Sequence, residues 1–210
     1  LSYQVKEIFQ TLQGEGHHAG RAAVFCRFAG CNLWSGREAD RAQARCRFCD
    51  TDFVGTDGTG GGRFPDAAAL AHAIETAWGP TLPHRFVVLT GGEPLLQVDA
   101  PLLAELHRRR FLVAVETNGT IRAPDGLDWI CVSPKSGTDL AQRAGDELKL
   151  AFPQPGLDPA ALAQLNFASF RLQPIDGPDL AANTRAAIDY CLRHPPWRLG
   201  LQTHKLVGLR

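Results

Sequence analysis

The sequence predicts an α/β fold built on a mostly parallel sheet with helices outside it. Seven short apolar runs rich in Val, Leu, Ile and Phe read as strands buried on both faces. Helical patterns lie between several of them, and repeated strand–helix–strand order favours parallel pairing. Polar and special residues cluster directly after the strands, at Thr90–Pro94, Glu116–Gly119, Ser133–Lys135 and Gln173–Asp176. Folds of this class bind ligands at the C-terminal ends of their strands.

In chain order, the strand candidates are Ala23–Phe28, Arg85–Thr90, Phe111–Glu116, Trp129–Ser133, Glu147–Ala151, Ser169–Gln173 and Arg198–Gln202. Pro65-Asp66 opens a helix through Trp78, with Leu70, Ala73, Ile74 and Ala77 on one face. A second helix covers Val98–Arg110 and ends in three arginines, which suit the negative end of a helix dipole. Further helices are expected over Pro159–Leu165 and Leu180–Leu192. Asn32–Arg45 reads as a helical insertion, and the glycine-rich Thr56–Arg63 as a flexible loop. No repeat or domain boundary is visible, so residues 1–210 read as a single domain with an insertion at about 32–45.

A chain of 210 residues buries a full core without staples. Its 22 basic and 22 acidic residues cancel, so bulk charge points to neither nucleic acid nor membrane. No stretch approaches the roughly 20 apolar residues of a membrane span. Leu1–Lys6 carries no apolar signal core, so the expected compartment is the cytoplasm. Thiols stay reduced there, and the six cysteines read as metal ligands first and core filler second.

Cys31, Cys46 and Cys49 stand in the pattern C-x14-C-x2-C, one thiolate short of a closed four-ligand site. A cluster held by three thiolates leaves one iron open to a reacting ligand. Gly91-Gly92-Glu93-Pro94 follows an apolar strand, and its glycines let backbone approach a ligand closely. Together these motifs resemble the radical S-adenosylmethionine superfamily, although its usual first gap is three residues. The second cysteine comes only at Cys46, so residues 32–45 read as an insertion that loops out and returns.

Further motifs narrow the resemblance. Gln13-Gly14-Glu15-Gly16, Arg27–Leu33, Cys49-Asp50-Thr51, Glu116–Gly119, Ser133-Pro134-Lys135 and the C-terminal Thr203-His204-Lys205 occur in the order of the 7-carboxy-7-deazaguanine synthase family. The likeness covers nearly the whole chain. It implies a partial β/α barrel with a 4Fe–4S cluster loop at its C-terminal rim, and radical ring contraction of 6-carboxy-5,6,7,8-tetrahydropterin with loss of ammonia. It also implies S-adenosylmethionine, Mg2+, an electron donor such as flavodoxin or ferredoxin, and a homodimer.

The resemblance assigns residues as follows. Cys31, Cys46 and Cys49 hold the cluster, and Thr51 is a Mg2+ ligand. Phe48, Gly92, Glu93, Ser133, Pro134, Lys135 and Gln173-Pro174-Ile175-Asp176 bind S-adenosylmethionine, with Glu93 accepting from its ammonium. Leu12, Gln13, Gly14, Glu15, Arg27, Thr90, His204 and Arg210 bind the pterin. Glu116 and Asp50 are catalytic candidates, and Asn118 shares the rim.

The chemistry of the side chains agrees with several of these roles. A carboxylate such as Glu15 pairs with an N–C–N edge, and an arginine fork such as Arg27 grips a carboxylate. One hydroxyl is too little for Mg2+, so that metal needs substrate oxygens and water. Cys26, Cys131 and Cys191 read as buried small hydrophobes. Two rival readings share the cysteine motif. One is an activase for a glycyl-radical protein, which gives no reason for Gln13–Gly16. The other is a zinc-stabilised binding module using Cys26 or a histidine as fourth ligand.

Overall fold

The computed structural model describes residues 2–79 and 82–209. Its strands are β1 (Tyr3–Leu12), β2 (Ala22–Phe28), β3 (Gly62–Phe64), β4 (Phe86–Gly91), β5 (Leu112–Thr117), β6 (Trp129–Val132), β7 (Ala144–Phe152), β8 (Asn166–Pro174) and β9 (Trp197–Leu199). Its helices are α1 (Ala67–Trp78), α2 (Ala100–Arg108), α3 (Pro159–Leu162), α4 (Leu180–Arg193) and α5 (Thr203–Val207). The strands form one sheet in the order β3-β1-β2-β4-β5-β6-β7-β8-β9. From β2 to β9 neighbours run parallel, while β1 pairs antiparallel with both β2 and β3. The sheet does not close on itself, which makes it a partial barrel.

Period-2 alternation sorts the strand residues between two faces. Val24, Cys26, Phe28, Val87, Leu89, Val113 and Val115 point outward and pack against Leu70, Ile74, Leu102 and Leu106 of α1 and α2. Leu148, Leu150 and Leu172 form a second outer cluster with Ala187 of α4. Each fully buried Leu or Ile contributes about 1.5–3 kcal/mol. Asp66, Asp99 and Asp158 cap the first three helices by accepting from Ala69, Leu102 and Ala160 N–H, at about 1 kcal/mol each. The opposite face carries a small apolar cluster of Ala23, Phe86, Val88 and Ala114. The turn between β1 and β2 folds over this inner face. There His18 packs on Phe86 and Trp129, and the His17 N–H donates to Glu147 Oε2 at 2.9 Å.

Three sequence expectations change. β1 is a ten-residue strand that the strand pattern did not reveal. A register shift between Val5 and Glu7 interrupts its alternation, and that alternation is what marks a strand in sequence. The 32–45 insertion is not an α-helix. Only Glu38–Gln43 winds, as a 3-10 helix with no buried residue and no side-chain cap, so it has no apolar face to hold a longer helix. Residues 56–63 lie along β1, with Gly58 N–H donating to Lys6 O and Ile8 N–H to Thr59 O. A Cβ on Gly61 would sit 2.1 Å from Lys6 O, so glycine here serves close approach.

Candidate active site

Two adjoining cavities open at the C-terminal ends of the parallel strands, with volumes of about 590 Å3 and 390 Å3. Glu15, Asp50, Thr51, Thr90, Glu116 and Lys149 line both and form their shared wall.

The larger cavity gathers Leu12, Gln13, Gly14, Glu15, Arg27, Thr90 and His204. Arg210, the remaining sequence candidate for this group, lies outside the described residues. Arg27 lies one residue before the end of β2, on its inner face, where Glu7 of β1 accepts from its Nε at 2.9 Å. That contact orients the guanidinium. Thr203 donates from both N–H and Oγ1 to Gly14 O. A Cβ on Gly14 would meet the His204 ring at 2.2 Å, so this glycine is what lets the histidine lie over the turn.

Lys149, on the inner face of β7, was not among the sequence candidates. Its ammonium sits 2.6 Å from Glu15 Oε2 and 2.8 Å from Glu116 Oε2, with only 8% of the side chain exposed. Burial would raise the Glu15 carboxyl, but Lys149 and a hydrogen bond from Gln202 bring it down to about 2. Burial and the neighbouring Glu15 charge push Glu116 up, against the pull of Lys149. The sequence did hold a signal. In Glu147-Leu148-Lys149-Leu150, charges alternate with leucines, which marks a strand with one polar face.

The smaller cavity is lined by Cys46, Phe48, Cys49, Gly92, Ser133, Lys135 and Gln173–Asp176. Lys135 Nζ donates to Ser133 Oγ at 2.6 Å and lies 5.8 Å from the Phe48 ring centroid. Burial lowers the Lys135 pKa. Pro134 does not line the cavity; its carbonyl accepts from Gln154 Nε2. Glu93 departs from the expectation that it meets an ammonium group. It is fully buried and does not line the cavity. Its Oε1 accepts from Leu95 N–H and Thr117 Oγ1, and its Oε2 from Asn118 N–H. Glu93 therefore ties the end of β4 to the end of β5.

The neighbouring Cys46 thiol, together with Thr51 N–H, draws the Cys49 thiol below its ordinary value. Cys31 packs beside Cys49 against Trp34 and Phe53. A Cβ on Gly92 would lie 2.2 Å from Gly30 O and 2.8 Å from Cys31 Cβ, so glycine lets the β4 end press against the first cysteine. Cys46 and Cys49 thus face the glycine-edged cavity, with Cys31 packed behind Gly92 beside them, and three neighbouring thiols fit a cluster with an open iron. Among the described residues, no three His, Cys, Asp or Glu side chains converge as a mononuclear site requires. A cluster with one thiolate per iron does not need that convergence. Cys26 is buried on the outer face, among Val24 and Leu89, and is not placed as a fourth ligand.

Asp50 and Thr51 follow the last cysteine on the shared wall. Asp50 is exposed, and Lys205 Nζ contacts its Oδ2 and Asp176 Oδ2 at 2.6 Å each. Glu7 and Gln202 join Lys149 as site residues that sequence motifs did not mark, and Lys205, which the C-terminal motif contains without a role, also lines the larger cavity. Their roles come from register and from the return of α5, neither of which a local pattern encodes.

No family model matches the sequence. The chain is 66% identical over 210 residues to the 7-carboxy-7-deazaguanine synthase of Bradyrhizobium diazoefficiens, and 62% identical over 209 residues to that of Bordetella pertussis. Each alignment covers 100% of both chains. A relative of the same name in Bacteroides thetaiotaomicron is 39% identical over 99% of this chain and 98% of its own. Among solved structures, the crystal structure of QueE from Escherichia coli matches with a TM-score of 0.72 and 28% identity, covering 97% of this chain and 95% of that one.

Proposed function

The chain belongs to the 7-carboxy-7-deazaguanine synthase family, and on that premise we propose how its two cavities divide the work. The enzyme is a radical S-adenosylmethionine lyase. It contracts the ring of 6-carboxy-5,6,7,8-tetrahydropterin to 7-carboxy-7-deazaguanine with release of ammonia, a step of queuosine biosynthesis. A 4Fe–4S cluster and S-adenosylmethionine are its cofactors. When bound, they would supply one-electron radical chemistry, with Cys31, Cys46 and Cys49 as the residues that would hold the cluster.

The smaller cavity is the S-adenosylmethionine site, with Cys31, Cys46 and Cys49 holding the cluster at its edge. Phe48 offers a face to the adenine, and Ser133, Lys135 and Gln173–Asp176 offer polar contacts. The larger cavity is the pterin site. Arg27, oriented by Glu7, grips the substrate carboxylate, and Glu15 accepts from the pterin's N–C–N edge. Gln13, Thr90 and His204 complete the enclosure, which keeps a reactive radical away from water. The observation that carries this reading is the shared wall. There the Gln13–Gly16 turn, the end of β5 and the segment after Cys49 meet between the two cavities.

Mg2+ binds at Thr51 on that wall, with Asp50 beside it, and completes its shell with substrate oxygens and water. An electron donor such as flavodoxin or ferredoxin reduces the cluster. The enzyme works as a homodimer, a reading supported by the exposed apolar side chains of α4, Leu180, Ile188 and Leu192. Residues 1–210 act as one unit around a continuous sheet, with the 32–45 insertion beside the cluster. The working compartment is the cytoplasm; among the described residues no helix is long and apolar enough to cross a membrane.

The test is anaerobic turnover of the iron–sulfide-reconstituted protein with reductant, Mg2+, S-adenosylmethionine and 6-carboxytetrahydropterin. 7-Carboxy-7-deazaguanine is expected by mass spectrometry over many turnovers. 5′-Deoxyadenosine without that product would sink the substrate assignment and leave the cofactor chemistry standing.

A further inference from the structure

The buried cation at the shared wall has no role in the reading above. Lys149 comes from β7, Glu15 from the β1–β2 turn and Glu116 from the end of β5, and all three side chains line both cavities. Lys149 Nζ lies within 2.8 Å of a carboxylate oxygen on each partner. The remaining oxygens are held from the sides, Glu15 Oε1 by Gln202 Nε2 at 2.8 Å and Glu116 Oε1 by Gln13 Nε2 at 3.4 Å. The next inward acid on β7, Glu147, is engaged by His17 N–H at 2.9 Å and Arg171 Nε at 3.3 Å, so it does not compete for Lys149.

Two carboxylates and one ammonium leave the trio with one excess negative charge when all are ionised. Without the ammonium, two buried carboxylates would face each other, and such pairs share a proton. A protonated Glu15 would offer a donor where the pterin edge needs an acceptor.

We propose that Lys149 is a positioning residue for the ring contraction. It bridges Glu15 and Glu116 across the wall between the cavities, keeping Glu15 an anion aimed at the pterin edge. The inference rests on reading the larger cavity as the pterin site. The strong downward shift of the Glu15 carboxyl, to about 2 despite its burial, agrees with it.

Binding without turnover tests it. Cluster-loaded protein, with no reductant added, is titrated anaerobically with 6-carboxytetrahydropterin and separately with S-adenosylmethionine. Lys149→Met is expected to weaken pterin binding by roughly tenfold or more, because an unpaired buried carboxylate is costly. S-adenosylmethionine binding is expected to fall by clearly less than pterin binding, since Lys149 lines that cavity too but neither of its partners is assigned to that ligand. The pterin losses of Lys149→Met and Glu15→Gln are expected to overlap, with the double variant no weaker than Glu15→Gln alone. Lys149→Gln, which keeps a donor, serves if the methionine variant does not fold. Pterin affinity within about twofold of wild type, losses that multiply, or equal loss for both ligands would each overturn the proposal. Failure of the wild-type protein to bind the pterin would overturn the site assignment, and this inference with it.

Discussion

The two faces of the same sheet obey different rules. On the outer face Val87, Leu89, Val113, Val115, Leu148 and Leu150 pack against helices, and all are fully buried. On the inner face the neighbouring residues of the same strands are Thr90, Glu116, Glu147 and Lys149. One residue's shift along β7 separates a leucine worth about 2 kcal/mol of burial from a lysine bridging two acids. The outer face tolerates any close-packed apolar set of the right volume. The inner face requires particular atoms, because each buried charge there needs a partner.

Variants on the two faces should therefore fail in different ways. The largest effect is expected from Cys46→Ala, which removes one of the three thiolates. Product formation should vanish and the iron–sulfur absorbance should be lost or altered, while circular dichroism still shows a folded sheet. Full turnover by this variant would remove the cluster assignment.

Leu148→Ala does the reverse. It opens a cavity on the outer face and should cost about 2–5 kcal/mol in denaturant unfolding. Its folded fraction should keep kcat within about threefold, because sites without shared partners act independently. A kcat loss that outruns the stability loss would mean the faces are mechanically coupled. The smallest of the three effects is expected from Gly14→Ala. Its Cβ would collide with the His204 ring, so KM for the pterin should rise by roughly tenfold, as misplaced binding groups generally cost. The melting temperature should barely move. A change in stability without a change in KM would show that His204 packs but does not bind.

The sequence made the outer face legible and the inner face only in part. Apolar runs such as Phe86–Leu89 and Val113–Val115 locate strands within a residue or two, since burial on both sides demands apolar residues at every position. The cysteines and the turn at Gly91–Pro94 were legible because the ligand chemistry restricts residue type at fixed spacing. Motif spacing does not reveal that the Glu93 carboxylate accepts from three groups of the protein itself. Lys149 and Glu7 escaped because alternation can mark a polar face of a strand but not the partners that face will meet. The partners here come from 134 and 20 residues away, and only register brings them together. β1 was hidden by its own bulge.

Gly14 and Thr203 are joined by a hydrogen bond across 189 residues, Glu15 and Gln202 across 187, and Lys205 returns to Asp50 across 155. Loops of that span close late, since their ends lose the most freedom on meeting. The strap of residues 202–205 rests on a few polar contacts rather than on a core, and the Lys205 pairs, open to solvent, add only about 0–1 kcal/mol each. Such a segment lifts by local opening while the sheet stays folded. In hydrogen exchange the strap amides should run far ahead of those in β4 and β5, and equal protection would show that the strap is held as firmly as the sheet.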